Sequence, residues 1–189
     1  MYGSTRRKYL SNLRASRRDS FVQRMVREIK DRRADRVRIH ASGDFYSPEY
    51  VRKWVEIARE CRQTEFYAYT RSWQDGRGNV VDDREDLLCL ARQPNVRLWL
   101  SADKDTGKPP RWRSCRVAYM QSDDADIPGF KPDLVFRVKR KTVSKRVGRY
   151  QSLVCPVEQG LPSSKRITCE KCQLCFSQDR MIWGLSAKA

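Results

Sequence analysis

The stretch RVRIHASGDFYSPEYVRKWVEIARECRQTEFYAYTRSW, Arg36–Trp73, decides the fold. Val37, Ile39 and Ala41 alternate with Arg38 and His40, the period of a strand, and Gly43 and Asp44 end it. The pattern then changes to that of a helix. Ser47 is an N-cap, Pro48 suits the first helical position, and Glu49 suits the positive end of the dipole. Val51, Trp54, Val55 and Ala58 fall on one face of that helix. EFYAYTRSW then restores the strand pattern. Strand, helix and strand in so short a span make a parallel βαβ unit.

The alternation continues downstream. DDREDLLCLARQ reads as a helix with an acidic start and an apolar face of Leu87, Leu88, Leu90 and Ala91. NVRLWLSAD is a third strand, with Val96, Leu98 and Leu100 on one face, and CRVAYMQS and DLVFRVK are a fourth and a fifth. Upstream, Phe21, Val22, Met25, Val26 and Ile29 form the stripe of a helix from Ser20 to Arg33. Residues 1–18 read only as a basic lead-in. The expected fold is α/β: a mostly parallel sheet or partial (β/α) barrel with a C-terminal cysteine-rich metal-binding tail. A full eightfold barrel takes about 250 residues, and the chain has 189. Residues 1–150 are expected to form the α/β domain, and 151–189 a cysteine-rich segment packed on it.

Charge narrows the function. Forty Lys and Arg face 23 Asp and Glu, a net of +17. Such an excess attracts polyanions, nucleic acid above all. Its densest run is RVKRKTVSKRVGR, where Arg137, Lys139, Arg140, Lys141, Lys145, Arg146 and Arg149 occur without one acid. These seven are the expected phosphate contacts, with the N-terminal arginines adding to them. The start of the chain lacks the apolar core of a signal peptide, and no run nears the roughly 18 apolar residues of a membrane span. The expectation is a cytoplasmic protein with no membrane partner, whose thiols stay reduced.

In that setting a cysteine cluster points to metal. Cys155 is followed by proline, and Cys169, Cys172 and Cys175 make a Cys-x₂-Cys-x₂-Cys run. Ferredoxin-type [4Fe–4S] sites combine such a run with a remote Cys-Pro cysteine. Short steps let one loop hold three corners of the cubane, and Cys155 would close the fourth, pinning the tail to the barrel end. A single tetrahedral zinc is the alternative. Cys61, Cys89 and Cys115 stand alone and read as small buried hydrophobes.

The strand ends are polar. His40 and Asp44 follow the first, Thr70 and Arg71 close the second, and Ser101 and Asp103 close the third. Parallel α/β folds collect their sites there. His40 and Asp44 are candidate proton carriers, Arg71 a candidate anion clamp, and Asp103 completes the set. No phosphate-binding glycine loop is present, nor a GxSxG or HExxH motif.

The segments VRIHASGDFYSPEYVRKWVEIARE, FYAYTRSW, NVRLWLSAD and CEKCQLC resemble the phage gene product 88 family, over about Tyr2 to Phe176. The resemblance implies architecture more than activity. It also brings a loose similarity to the radical S-adenosylmethionine barrels, whose Cys-x₃-Cys-x₂-Cys loop after the first strand this sequence lacks. Three functions are therefore expected in turn. The first is a metal-binding basic protein on nucleic acid. The second is a degenerate or truncated relative of the radical barrels with a strand-end pocket. The third is an accessory factor that binds a host protein.

Overall fold

A computed structural model describes residues 3–81, 84–123, 126, 128–137, 153–158 and 167–177. Five strands form one all-parallel sheet: β1 (Arg36–Arg38), β2 (Glu65–Thr70), β3 (Val96–Ala102), β4 (Cys115–Gln121) and β5 (Leu134–Arg137). Each strand pairs with its neighbour in sequence, so the sheet order is β1-β2-β3-β4-β5. The sheet curls as half a barrel, which is the expected α/β class.

Three helices cover one face: α2 (Phe21–Asp31), α3 (Pro48–Glu60) and α4 (Glu85–Ala91). Their apolar stripes meet alternate strand residues. Val51, Ile57, Leu87 and Leu90 are fully buried against Phe66, Ala68, Leu98 and Leu100. The start of α3 is built as its sequence demands, with Ser47 Oγ accepting from Tyr50 N at 3.2 Å. At the amino end of the sheet, Asn95 Nδ2 donates to the carbonyls of Ala58, Cys61 and Thr64, each at 3.0 Å. One amide thereby joins the α3–β2 turn to the start of β3.

Two expectations need correction. The basic lead-in is a helix, α1 (Gly3–Ser16). It escapes an apolar-period reading because residues 6–12 are all exposed, while its last turn, with Ser16 buried, meets the body. The first strand also ends sooner than its alternation implies. It stops at Arg38, and His40 takes a left-handed backbone at φ +62°. No described helix is long and apolar enough to cross a membrane.

The concave face of the sheet carries the other half of each alternation: Tyr67 and Tyr69, Arg97 and Trp99, Arg116 and Ala118, Leu134 and Phe136. Trp99, Ala118 and Leu134 are buried, yet no helix of the α2–α4 layer covers them. What buries them is the cysteine segment.

Candidate functional site

The segment docks by ordinary backbone pairing before any thiol is considered. Val154 bridges Val135 in parallel, and Cys155 N donates to Val135 O at 2.8 Å, so the chain continues the sheet beyond β5. A single 3₁₀ turn follows, Pro156–Glu158, and Glu158 Oε2 accepts from Arg137 N at 2.6 Å. Further on, Thr168 caps a one-turn helix, α5 (Cys169–Cys172), and Gln173 stops it at φ +55°. The chain then lays Leu174 and Phe176 into the concave face, where both are buried. Trp99 Nε1 donates to Cys175 O at 2.8 Å, and Arg116 Nη1 to Leu174 O at 3.3 Å. The guanidinium of Arg36 sits over the Phe176 ring at 4.4 Å. The segment thus lies across the middle of the sheet, against β3, and not at a barrel end.

This docking gathers the four cysteines. Cys155 is buried, Cys172 and Cys175 are half-buried, and Cys169 is exposed. Cys155, Cys172 and Cys175 pack into one cluster with Trp99 and Leu174, and Cys169 stands at its edge, its charge reaching Cys175. Burial pushes the Cys155 thiol up to about 12, with Glu158 and the neighbouring thiols adding to the rise. Burial raises Cys175 as well, against the pull of Tyr69 and Arg38. The Tyr69 hydroxyl is itself buried and faces Cys175. Its ring stacks on Trp99 at 5.9 Å, and Arg38 lies over it at 5.4 Å.

Among the described residues, no group of three or more His, Cys, Asp or Glu side chains is arranged to hold a metal ion. Cys155, Cys172 and Cys175 are neighbours but not a closed cage. In kind, the donors suit a soft metal. The surroundings suit a thiolate centre, because the Tyr69 proton beside Cys175 and the nearby Arg38 charge both favour negative sulfur.

The carboxyl ends of the strands hold a second arrangement. Asp44 accepts from Phe45 N at 2.7 Å, Thr70 Oγ1 at 2.6 Å and Arg71 N at 2.6 Å. Arg71 in turn forms an ion pair with Asp103. Three of the four sequence candidates are therefore brought into one chain of contacts. Asp44 serves there as a loop clasp, with its two oxygens taken by its own neighbourhood. His40 turns elsewhere. Its Nε2 lies 3.1 Å from Tyr50 Oη, and its ring packs against Phe45, Tyr50 and Trp54. Burial holds its pKa below the usual histidine value, partly opposed by Asp44.

Beside Asp103 opens a cavity of about 590 Å³, whose lining includes Lys104, Lys108, Tyr119, Asp126 and Phe130. Its floor is fixed by Asp126, which is buried and accepts from the Tyr119 hydroxyl, Ser122 N and Ser122 Oγ. Burial tends to raise the Asp126 carboxyl, but these donors outweigh it and hold the pKa below the usual range. Tyr119 is pushed above the usual range, by burial first and then by its bond to Asp126. Composition gave no sign of Tyr119 and Asp126 as a pair. Their seven-residue separation becomes meaningful only once β4 points Tyr119 to the helix side.

Of the seven expected phosphate contacts, Lys139, Arg140, Lys141, Lys145, Arg146 and Arg149 lie outside the described residues. Arg137 is a correction. It is the last residue of β5, only 5% exposed, with Nε donating to Gln121 Oε1 at 3.1 Å. A run of cations in sequence reads as one surface, but β5 turns its first member inward. Exposed cations among the described residues include those of α1, α2 and the β1 edge, with others spread over α3 and the loops.

A family model described as Gene product 88 matches residues 1–178. The chain belongs to the Gene product 88 family. Similar proteins include the Gene 88 protein of Mycobacterium phage L5, 27% identical over 169 residues, or 85% of this chain and 59% of that protein. The Gene 88 protein of Mycobacterium phage D29 is 30% identical over 105 residues, 53% of this chain and 40% of that one. The chain thus spans about half the length of these Gene 88 relatives. No solved structure matches.

Proposed function

We propose that this Gene product 88 protein is a basic nucleic-acid-binding half-barrel whose concave face is closed by a metal-held cysteine segment. The observation that supports the reading is that Cys155, Cys172 and Cys175 pack into one cluster on that face, with Cys169 in the same Cys-x₂-Cys-x₂-Cys run. A [4Fe–4S] cluster is the proposed group, and a single zinc is the alternative the same experiment separates. When bound, it would supply the cross-link that a five-strand sheet otherwise lacks on its open side. The chain's own part is to present soft donors, exclude water with Leu174 and Phe176, and offer the Tyr69 proton to Cys175 sulfur. The nucleic-acid part is supported by the net charge of +17 and by the exposed arginines of α1 and α2.

The test is anaerobic purification followed by an absorption spectrum and metal analysis on one sample. A brown protein with about four irons per chain, lost in Cys172→Ser, supports the cluster. A colourless protein with about one zinc, lost in the same variant, supports the structural alternative. Wild-type protein with neither metal refutes the metal half. For the nucleic-acid half, affinity for duplex DNA must fall with salt, with a log–log slope of about −0.9 per phosphate neutralised.

The cavity beside Asp103 favours a second reading, a small-molecule enzyme at the strand ends. Its volume falls within the roughly 300–1,000 Å³ of ligand pockets. If it is a degenerate relative of the radical barrels, S-adenosylmethionine binds and Asp103→Ala abolishes that binding. No binding at millimolar ligand overturns this reading.

A further inference from the structure

The inference concerns α1, and it rests on the nucleic-acid reading above. From Gly3 to Arg18 the chain has six cations, Arg6, Arg7, Lys8, Arg14, Arg17 and Arg18, and no acid. The helix has no acidic residue in its first turn. Arg6 and Arg7 stand instead near its positive end, where the helix dipole disfavours them. A 14-residue helix with neither opposite-charge pairs nor an apolar stripe is marginal in water.

What holds it is its last turn. Ser16 is buried, its Oγ 2.9 Å from Tyr46 Oη, and Tyr46 stacks on Tyr50 at 4.5 Å. Lys53 Nζ donates to the carbonyls of Ser16 and Arg18, each at 3.2 Å. The body therefore grips one end of a helix whose other turns stand in solvent.

The grip also sets which way the helix faces. At about 100° per residue, Arg7 and Arg14 fall within roughly 20° of the direction opposite Ser16. Both are exposed, and so is Arg18 in the turn that follows the helix. The face that points away from the protein therefore carries two cations two turns apart, with a third just past its end. A helix with side chains is about 10–12 Å across, and the major groove of B-form DNA is about 12 Å wide. The A-form RNA major groove is too narrow for side chains to read.

We propose that α1 is the DNA-docking element of this protein, laid into the major groove of a duplex by Arg7, Arg14 and Arg18 on opposing phosphates. Its partner is duplex DNA, in preference to an acidic protein surface. Groove binding neutralises the misplaced charges at the helix start and supplies the contacts that the outer turns of α1 lack.

The test uses the full chain and a 20-base-pair DNA duplex across a salt series. The triple variant Arg7→Gln, Arg14→Gln, Arg18→Gln should make the log–log slope less negative by roughly 2.7, from three contacts at about 0.9 each. A control, Arg77→Gln, Arg111→Gln, Arg113→Gln in exposed loops away from α1 and α2, removes the same charge and should leave the slope within one contact of wild type. Circular dichroism should show both variants folded, since every substituted side chain is exposed. Equal losses in both variants overturn the inference, because net charge alone would then explain binding. Wild-type binding with an unchanged slope in the α1 variant overturns it too, while the nucleic-acid reading stands. Wild-type protein with no salt-dependent binding overturns both. Binding to poly-L-glutamate as tight as to the duplex also overturns it, in favour of a protein partner.

Discussion

Trp99→Phe tests how the cysteine segment is held. The indole is 1% exposed, and its Nε1 donates to Cys175 O at 2.8 Å, across 76 residues of sequence. Phenylalanine keeps an aromatic against Tyr69 but removes the donor and part of the ring. The lost hydrogen bond costs about 1 kcal/mol net, and the lost ring atoms add roughly another 1 kcal/mol at about 25 cal/mol per Å². Both losses fall on the interface between segment and sheet, not on the α2–α4 core. The segment should therefore open locally before the protein unfolds, as weakly supported units do. Two kcal/mol is a factor of about 30 in an opening equilibrium. The assay is thiol labelling in chelator, with each cysteine followed by mass spectrometry. Cys155 is buried and reports opening, whereas Cys169 is exposed and reports intrinsic reactivity. Cys155 should label about 10- to 30-fold faster in the variant, with Cys169 unchanged. A Cys155 rate within twofold of wild type refutes the docking argument, because the segment would then be held by something other than Trp99.

Three more outcomes follow from the geometry. Asn95→Ala removes the amide shared by three carbonyls and should cost about 1–3 kcal/mol, seen as a drop in thermal midpoint of several degrees with the fold intact by circular dichroism. The His40 pKa is depressed by burial, so below about 6.5 the unfolded chain binds a proton the folded chain refuses. Stability should therefore fall as pH drops from about 6.5 toward the folded pKa and level off below it. His40→Gln should remove that component in urea titrations at pH 5 and 7, and an unchanged difference sinks the assignment. Asp44→Ala removes the acceptor shared by Phe45, Thr70 and Arg71. Proteolysis should then cut first near residues 43–46 and 71–74, and a wild-type cleavage pattern would argue against the clasp.

The helix side of the sheet was legible because each element there repeats a simple period. Pro48–Glu60 and Glu85–Ala91 show their stripes, and Val96, Leu98 and Leu100 show theirs. The concave side was half legible. Large aromatics at Tyr67, Tyr69 and Trp99 stand on that face, but nothing local names its cover, because that cover arrives through contacts across most of the chain. Two other features lay below local resolution. The left-handed backbone at His40 turns an apparently continuing strand aside. Helix α1 is defined by its one gripped turn and not by any apolar period. The cysteine spacing predicted a shared neighbourhood but not its place on β3.

The position of Arg38 beside the thiols bears on the metal half of the proposed function. Four thiolates around one divalent zinc carry a net charge of −2, and a four-cysteine [4Fe–4S] centre in its common oxidised state carries the same. A half-barrel that closes over such a charge must offset its desolvation. Arg38 is the cation best placed to do so, because it lies over Tyr69 and its charge reaches both Tyr67 and Cys175. On the metal reading, Arg38→Gln should weaken metal retention by about 10- to 100-fold, the usual effect of losing an outer partner. Competition with a chromophoric chelator measures this, with Arg52→Gln on the exposed side of α3 as the charge-matched control. Equal retention in the two variants would mean that Arg38 plays no part in holding a metal. A selective loss in Arg38→Gln would tie the metal to the charge at the β1 edge, apart from the α1 surface proposed for DNA.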